Sequence, residues 1–217
     1  MEKRVTTSER IFLSNGAALA WIAVFFQLYL IIVNRTASIP ETITRFFSFF
    51  TILSNILVAL CFTYRLLKPN AKWGRFFSRP TTQTAIALYI GVTGIIYNTI
   101  LRALWKPEGL QFLVNELLHS VIPVLFILYW LFFVPKESLK WTSIFPWLIF
   151  PTVYCIYSII RGAIAGVYPY PFLDAKELGY NKVILNICGV TVVFIVLSLL
   201  LVAIAKLIAR SPGSKGL

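Results

Sequence analysis

Charge is scarce in this chain. Of its 217 residues only 13% are Asp, Glu, Lys or Arg, 59% are hydrophobic, and the mean hydropathy is +0.81. So few charges cannot coat a water-soluble domain of this length, which excludes the ordinary globular classes. Acid is scarcer still, with 8 Asp and Glu against 20 Lys and Arg and a net charge of +12. That excess does not call for nucleic acid. The basic residues occupy short segments between long apolar runs, where they orient a membrane chain and meet anionic lipid headgroups. Cysteine appears three times, as Cys61, Cys155 and Cys188. Each falls inside an apolar run without metal-ligand spacing, so all three read as small buried hydrophobes, and neither a metal nor a cofactor is expected. No internal repeat is visible, and the one low-complexity stretch is a frayed tail, Ser211-Pro212-Gly213-Ser214-Lys215-Gly216. A cleavable signal peptide is not expected, because the first apolar run is too long and lacks a small-residue cleavage site.

What is present is length of apolar sequence. Six runs read as spans: Ile11–Val33, Phe46–Leu67, Thr84–Leu104, Phe112–Val134, Ile144–Ile164 and Val183–Ala205. Each has about 20 residues, enough to cross the hydrocarbon at a rise of 1.5 Å per residue. The links are short and rich in Pro, Gly and charge, which favours antiparallel neighbours. The fold class expected is therefore all-α: an integral membrane bundle of six transmembrane helices, residues 1–217 forming a single domain. Of the Lys and Arg residues, 13 lie on the side of the two termini and 7 on the other. The positive-inside rule then puts both termini in the cytoplasm of a multipass protein. Trp73, Trp105, Trp141 and Trp147 stand near span ends as interfacial anchors.

Histidine occurs once, at His119, in the stretch Asn115-Glu116-Leu117-Leu118-His119-Ser120-Val121-Ile122-Pro123. Polar groups at membrane depth are costly and tend to face the bundle interior, either with a task or as hydrogen-bonded glue between helices. Asn115 and Glu116 share a helix face with His119. Pro123 has no N–H for the carbonyl of His119 and tends to bend the helix there. Counting along antiparallel spans puts Thr51 and His119 at roughly the same depth, on the order of 10 Å below the outer face. Asn55, Asn98, Arg102, Arg161 and Asn186 fall in the same outer half, and the inner half reads as far more apolar. A hydroxyl and an imidazole at matched depth suit acyl transfer, with His119 taking the Thr51 proton and returning it to the leaving alcohol. Glu116 or Asn115 would fix the tautomer, and Asn55, Asn98 or Arg102 would stabilise the oxyanion. Arg161 or Arg102 would bind a lipid carboxylate, or pair with Glu116 or Asp174. Gly162 and Gly166 form a small-xxx-small step for close helix contact. The segment from Tyr168 to Asp174, with two prolines, reads as a stiff extended segment whose aromatics suit a lid at the interface, an anchor with no catalytic part.

Three blocks carry a resemblance: Phe49-Phe50-Thr51-Ile52-Leu53-Ser54-Asn55, the stretch from Asn115 to Pro123, and Arg161-Gly162 leading to Tyr168-Pro169-Tyr170-Pro171-Phe172. Together they resemble the bacterial six-span family named for its membrane prolines (Pr6Pr). That family is similar to the animal androgen-induced and androgen-dependent TFPI-regulating membrane proteins. The resemblance implies a multipass threonine hydrolase of a bacterial plasma membrane, acting on fatty acid esters of hydroxy fatty acids or related lipid esters. By position it makes Thr51 the nucleophile and His119 the base. The alternative from the residues alone is a non-enzymatic binder or transporter of an amphipathic molecule, which a Thr51–His119 separation beyond hydrogen-bond reach would favour. The partners expected are membrane lipids and a lipid-ester substrate, not nucleic acid.

Overall fold

A computed structural model describes residues 5–210; the tail from Ser211 and the basic residues Lys3 and Arg4 lie outside the described residues. The described residues are helical without a strand, and six helices are long and apolar enough to cross a bilayer. These are α1 (Thr7–Val33), α3 (Phe50–Leu67), α5 (Pro80–Leu104), α6 (Gly109–Phe133), α7 (Trp141–Ala165) and α9 (Tyr180–Arg210). Shorter helices lie between them: α2 (Ile39–Phe47), α4 (Lys72–Phe77) and α8 (Ala175–Leu178). The chain divides into two compact units, one running to Pro135 and the other beginning at Lys136.

In the first unit, α1 packs on α3, α3 on α5, α5 on α6 and α6 back on α1, a closed ring of four spans. Its centre is aromatic. The Phe62 ring lies 5.2 Å from that of Phe126 and 5.1 Å from that of Tyr129, and Trp130 is fully buried beside them. Large apolar side chains such as Phe25, Leu113 and Phe132 point outward. That inversion of the soluble pattern fits a surface whose solvent is lipid.

The second span starts later than the apolar pattern predicts. Phe46 belongs to α2, and the chain breaks before α3 begins at Phe50. Ser48 makes the break: its hydroxyl donates to the Thr44 carbonyl at 2.6 Å and its N–H to that of Arg45 at 3.0 Å. Phe49 is then extended. Thr51 consequently sits in the first turn of α3, where the helix dipole is positive.

The end opposite Thr51 is not the apolar half that the sequence suggests. Glu9 of α1 is 5% exposed and pairs with Arg65 of α3 at 2.7 Å. Tyr129 of α6 donates to the same carboxylate at 3.3 Å, and Gln83 of α5 donates to the Tyr129 hydroxyl at 3.2 Å. One side chain from each of the four spans is tied into this chain of bonds. Charge that sequence assigns to the headgroups is here spent between helices.

In the second unit, Gly162 does not serve a helix crossing. A Cβ there would lie 2.1 Å from the Tyr168 ring, and Gly166 ends α7 in the left-handed conformation at φ 72°. The segment after it is not extended throughout, since Pro171–Leu173 forms a 3-10 turn with the Tyr170 and Phe172 rings stacked at 5.1 Å. Asp174 caps α8 through the N–H groups of Lys176 and Glu177. Two other readings change. Cys188 is exposed, and Trp147 is buried rather than anchored at a surface.

Candidate functional site

The site grows from an irregularity in α6. Between Leu117 and Val121 the helix makes a π turn, so the Ile122 N–H reaches back to the Leu117 carbonyl. The Leu118 carbonyl loses its usual donor to that shift, and the His119 carbonyl loses its own because Pro123 has no N–H. Buried carbonyls left without donors are expensive. Two carboxamides from neighbouring spans supply them: Asn55 Nδ2 donates to Leu118 O at 3.1 Å and Asn98 Nδ2 to His119 O at 3.2 Å. A second π turn, Tyr97–Leu101, faces the first from α5. Gly94 permits the approach: a Cβ there would stand 3.1 Å from Pro123 Cβ and 3.2 Å from His119 O.

On this support the His119 ring is fixed on three sides. Its Nδ1 lies 2.9 Å from the main-chain carbonyl of Asn115. A carbonyl only accepts, so the proton is on Nδ1 and Nε2 is left as acceptor. The Thr51 hydroxyl donates to that Nε2 across 3.2 Å. The Tyr97 ring stacks on the imidazole with centroids 4.1 Å apart and 26° between planes. Asn115 in turn donates its side-chain N–H to the Tyr97 hydroxyl. Sequence reasoning therefore names the right residue for the wrong atom. The main chain of Asn115 orients His119; its side chain holds the stacking partner instead.

Glu116 turns elsewhere. Both its oxygens take Arg102 Nη2 at 2.6 Å, and Ser120 donates to Glu116 at 3.0 Å. The Arg102 guanidinium also lies 5.3 Å from the Tyr97 ring centroid. Asn55 and Asn98 each have a further carbonyl partner, Thr51 O at 2.8 Å and Gly94 O at 2.9 Å. Both amide hydrogens of each are engaged, so neither offers a spare donor to an oxyanion. Arg161 and Asn186 belong to the second unit. There Arg161 donates to Val167 O at 3.1 Å and Asn186 to Phe172 O at 2.9 Å, tying the α7–α8 link to α7 and α9.

Three participants escape the sequence reading as parts of the site. Tyr97 sits among apolar neighbours and carries no charge to draw notice; its place directly before Asn98 was the available signal. Ser54 and Thr93 share a buried hydrogen bond at 3.0 Å, one turn below Thr51. Among the described residues no cluster of His, Cys, Asp or Glu could hold a metal ion. The Asn55 arrangement has a measurable worth. Asn55→Leu leaves Leu118 O without its donor and is expected to cost about 1–3 kcal/mol, read as a lower thermal midpoint in detergent micelles.

Comparison with known proteins returns nothing to set beside this geometry: no family model, curated protein or solved structure matches the chain.

Proposed function

We propose that the chain is an intramembrane lipid esterase, a threonine-type carboxylic ester hydrolase working through Thr51 and His119. One observation carries the reading: Thr51 Oγ1 donates to a His119 Nε2 whose other nitrogen is already held by a carbonyl. That is the relation a nucleophile and its oriented base require. As Thr51 Oγ attacks an ester carbonyl, its proton passes to Nε2. The tetrahedral intermediate collapses with that proton going to the leaving alcohol, which leaves an acyl-threonine. Water, deprotonated by the same Nε2, attacks the acyl carbon, and its proton returns to Thr51 as the acid departs. The positive end of the α3 dipole favours the negative charge that develops beside Thr51.

The acyl chain lies between spans, in keeping with the apolar side chains that the spans turn outward. The Lys and Arg distribution supports cytoplasmic termini. The three sequence blocks support kinship with the membrane-proline family and, with it, a bacterial plasma membrane and esters of hydroxy fatty acids as substrates. The test is a panel of lipid esters offered to the purified protein beside Thr51→Ala, together with labelling by a fluorophosphonate. Turnover and labelling of the native chain alone are expected; binding without either would assign the protein to the non-enzymatic binders.

A further inference from the structure

The short helix α2 has three differently furnished faces, and their order around its axis is informative. At about 100° per residue, Thr42 and Phe46 centre near 320°, Ile39, Ile43 and Phe47 near 40°, and Glu41, Thr44 and Arg45 near 190°. The first pair is packed into the first unit, Thr42 at 3% and Phe46 at 1% exposure. The apolar trio is open, at 50%, 38% and 46% exposure for Ile39, Ile43 and Phe47. On the remaining arc Glu41 and Arg45 pair at 2.8 Å, and Thr44 is exposed. The open apolar and polar arcs are thus roughly 150° apart, with the packed arc beside the apolar one.

A helix lying flat at a bilayer surface against a bundle needs this order: lipid below, water above, protein to one side. The chain path fixes the place. α2 joins the last residue of one span, Val33, to the first of the next, Phe50, so it is held at the face where both spans end. Near the same end of α1, Tyr29 and Val33 are also exposed.

We infer that α2 is an interfacial helix, seated with Ile39, Ile43 and Phe47 in the lipid of the leaflet that carries Thr51. Only Ser48, Phe49 and Phe50 separate Phe47 from Thr51, which lies in the first turn of α3. The nucleophile therefore works at the level where the ester groups of bilayer lipids reside, and a substrate reaches it sideways from that leaflet. The seat of α2 stands independently of the esterase reading; the route of the substrate rests on it.

The test uses the native chain in phosphatidylcholine–phosphatidylglycerol vesicles containing a phospholipid with a diazirine near the top of one acyl chain. After irradiation, adducts on Ile39, Ile43 or Phe47 and none on Thr44 are expected. A nitroxide at Ile43→Cys, in a chain whose native cysteines are alanine, should be several-fold more accessible to oxygen than to a water-soluble nickel chelate. The order should reverse at Thr44→Cys. No adducts on the apolar trio, equal chelate access at both labels, or an Ile43 label shielded from both reagents would overturn the seat. The last result would mean that another protein surface covers the stripe. Ester hydrolysis is not read in either experiment, so failure of the seat and failure of the dyad remain separate results.

Discussion

His119→Ala is expected to lower ester hydrolysis about 10⁴-fold in kcat/KM, the upper range for loss of a positioned general base. The size follows from how much passes through one nitrogen. Nε2 accepts the Thr51 proton, delivers it to the leaving alcohol and activates water for the second half of the cycle. No other imidazole exists in the chain to substitute for it. The carboxylate of Glu116 is engaged by Arg102, and a threonine hydroxyl without a base is a weak nucleophile. Thr51→Ala removes the attacking atom itself, so hydrolysis and fluorophosphonate labelling should both vanish, whereas Thr51→Ser keeps a hydroxyl and should retain measurable turnover. Both alanine variants should melt within a few degrees of the native protein, because the π turn is held by Asn55 and Asn98 rather than by the dyad. Unchanged kinetics in either alanine variant would remove the proposed mechanism.

Glu9→Ala is expected to be the most damaging single change to stability. The carboxylate holds Arg65 at 2.7 Å and accepts from Tyr129 at 3.3 Å in a region where little water reaches. Its removal leaves the Arg65 guanidinium, with side-chain exposure of only 12%, without its counter-ion. Breaking a buried pair from one side costs about 3–5 kcal/mol. In a chain of this length that corresponds to a fall in melting midpoint on the order of 10 °C. Thermal unfolding in detergent reads it directly. Glu9→Gln, which keeps an acceptor for both donors, should lose distinctly less. Equal loss in the two variants would mean that shape, rather than the pair, holds this end of the ring.

The spans are legible because bilayer thickness and helical rise are both fixed, so counting apolar residues measures length. The same counting brings Thr51 and His119 to one level, and they meet at 3.2 Å. It fails at Phe46, where five consecutive residues from Phe46 to Phe50 include four phenylalanines. Hydropathy sees one run; the Ser48 hydroxyl, which closes α2, is too small a signal to interrupt it. Asn55 and Asn98 are read as donors for a substrate because the carbonyls that occupy them are main-chain groups, which a sequence does not display. Pro123 announced one of the two; the π turn, which frees the other, has no sequence mark. The Glu9–Arg65 pair joins residues 56 apart on spans whose mutual rotation is set only by packing.

The π turn in α6 also divides that helix into two segments with separate headings. A π turn winds more slowly than an α turn, so the residues on either side are offset by about one residue step, roughly 100°. The segment through Glu116 can then aim Asn115 at Tyr97 while the segment from Ile122 aims Phe126 and Trp130 into the aromatic centre. Gaining or losing a single residue between Leu117 and Val121 would reset that angle directly. For this site a one-residue change in helix length is enough for divergence, so that close sequence likeness can coexist with an imidazole swung away from its threonine.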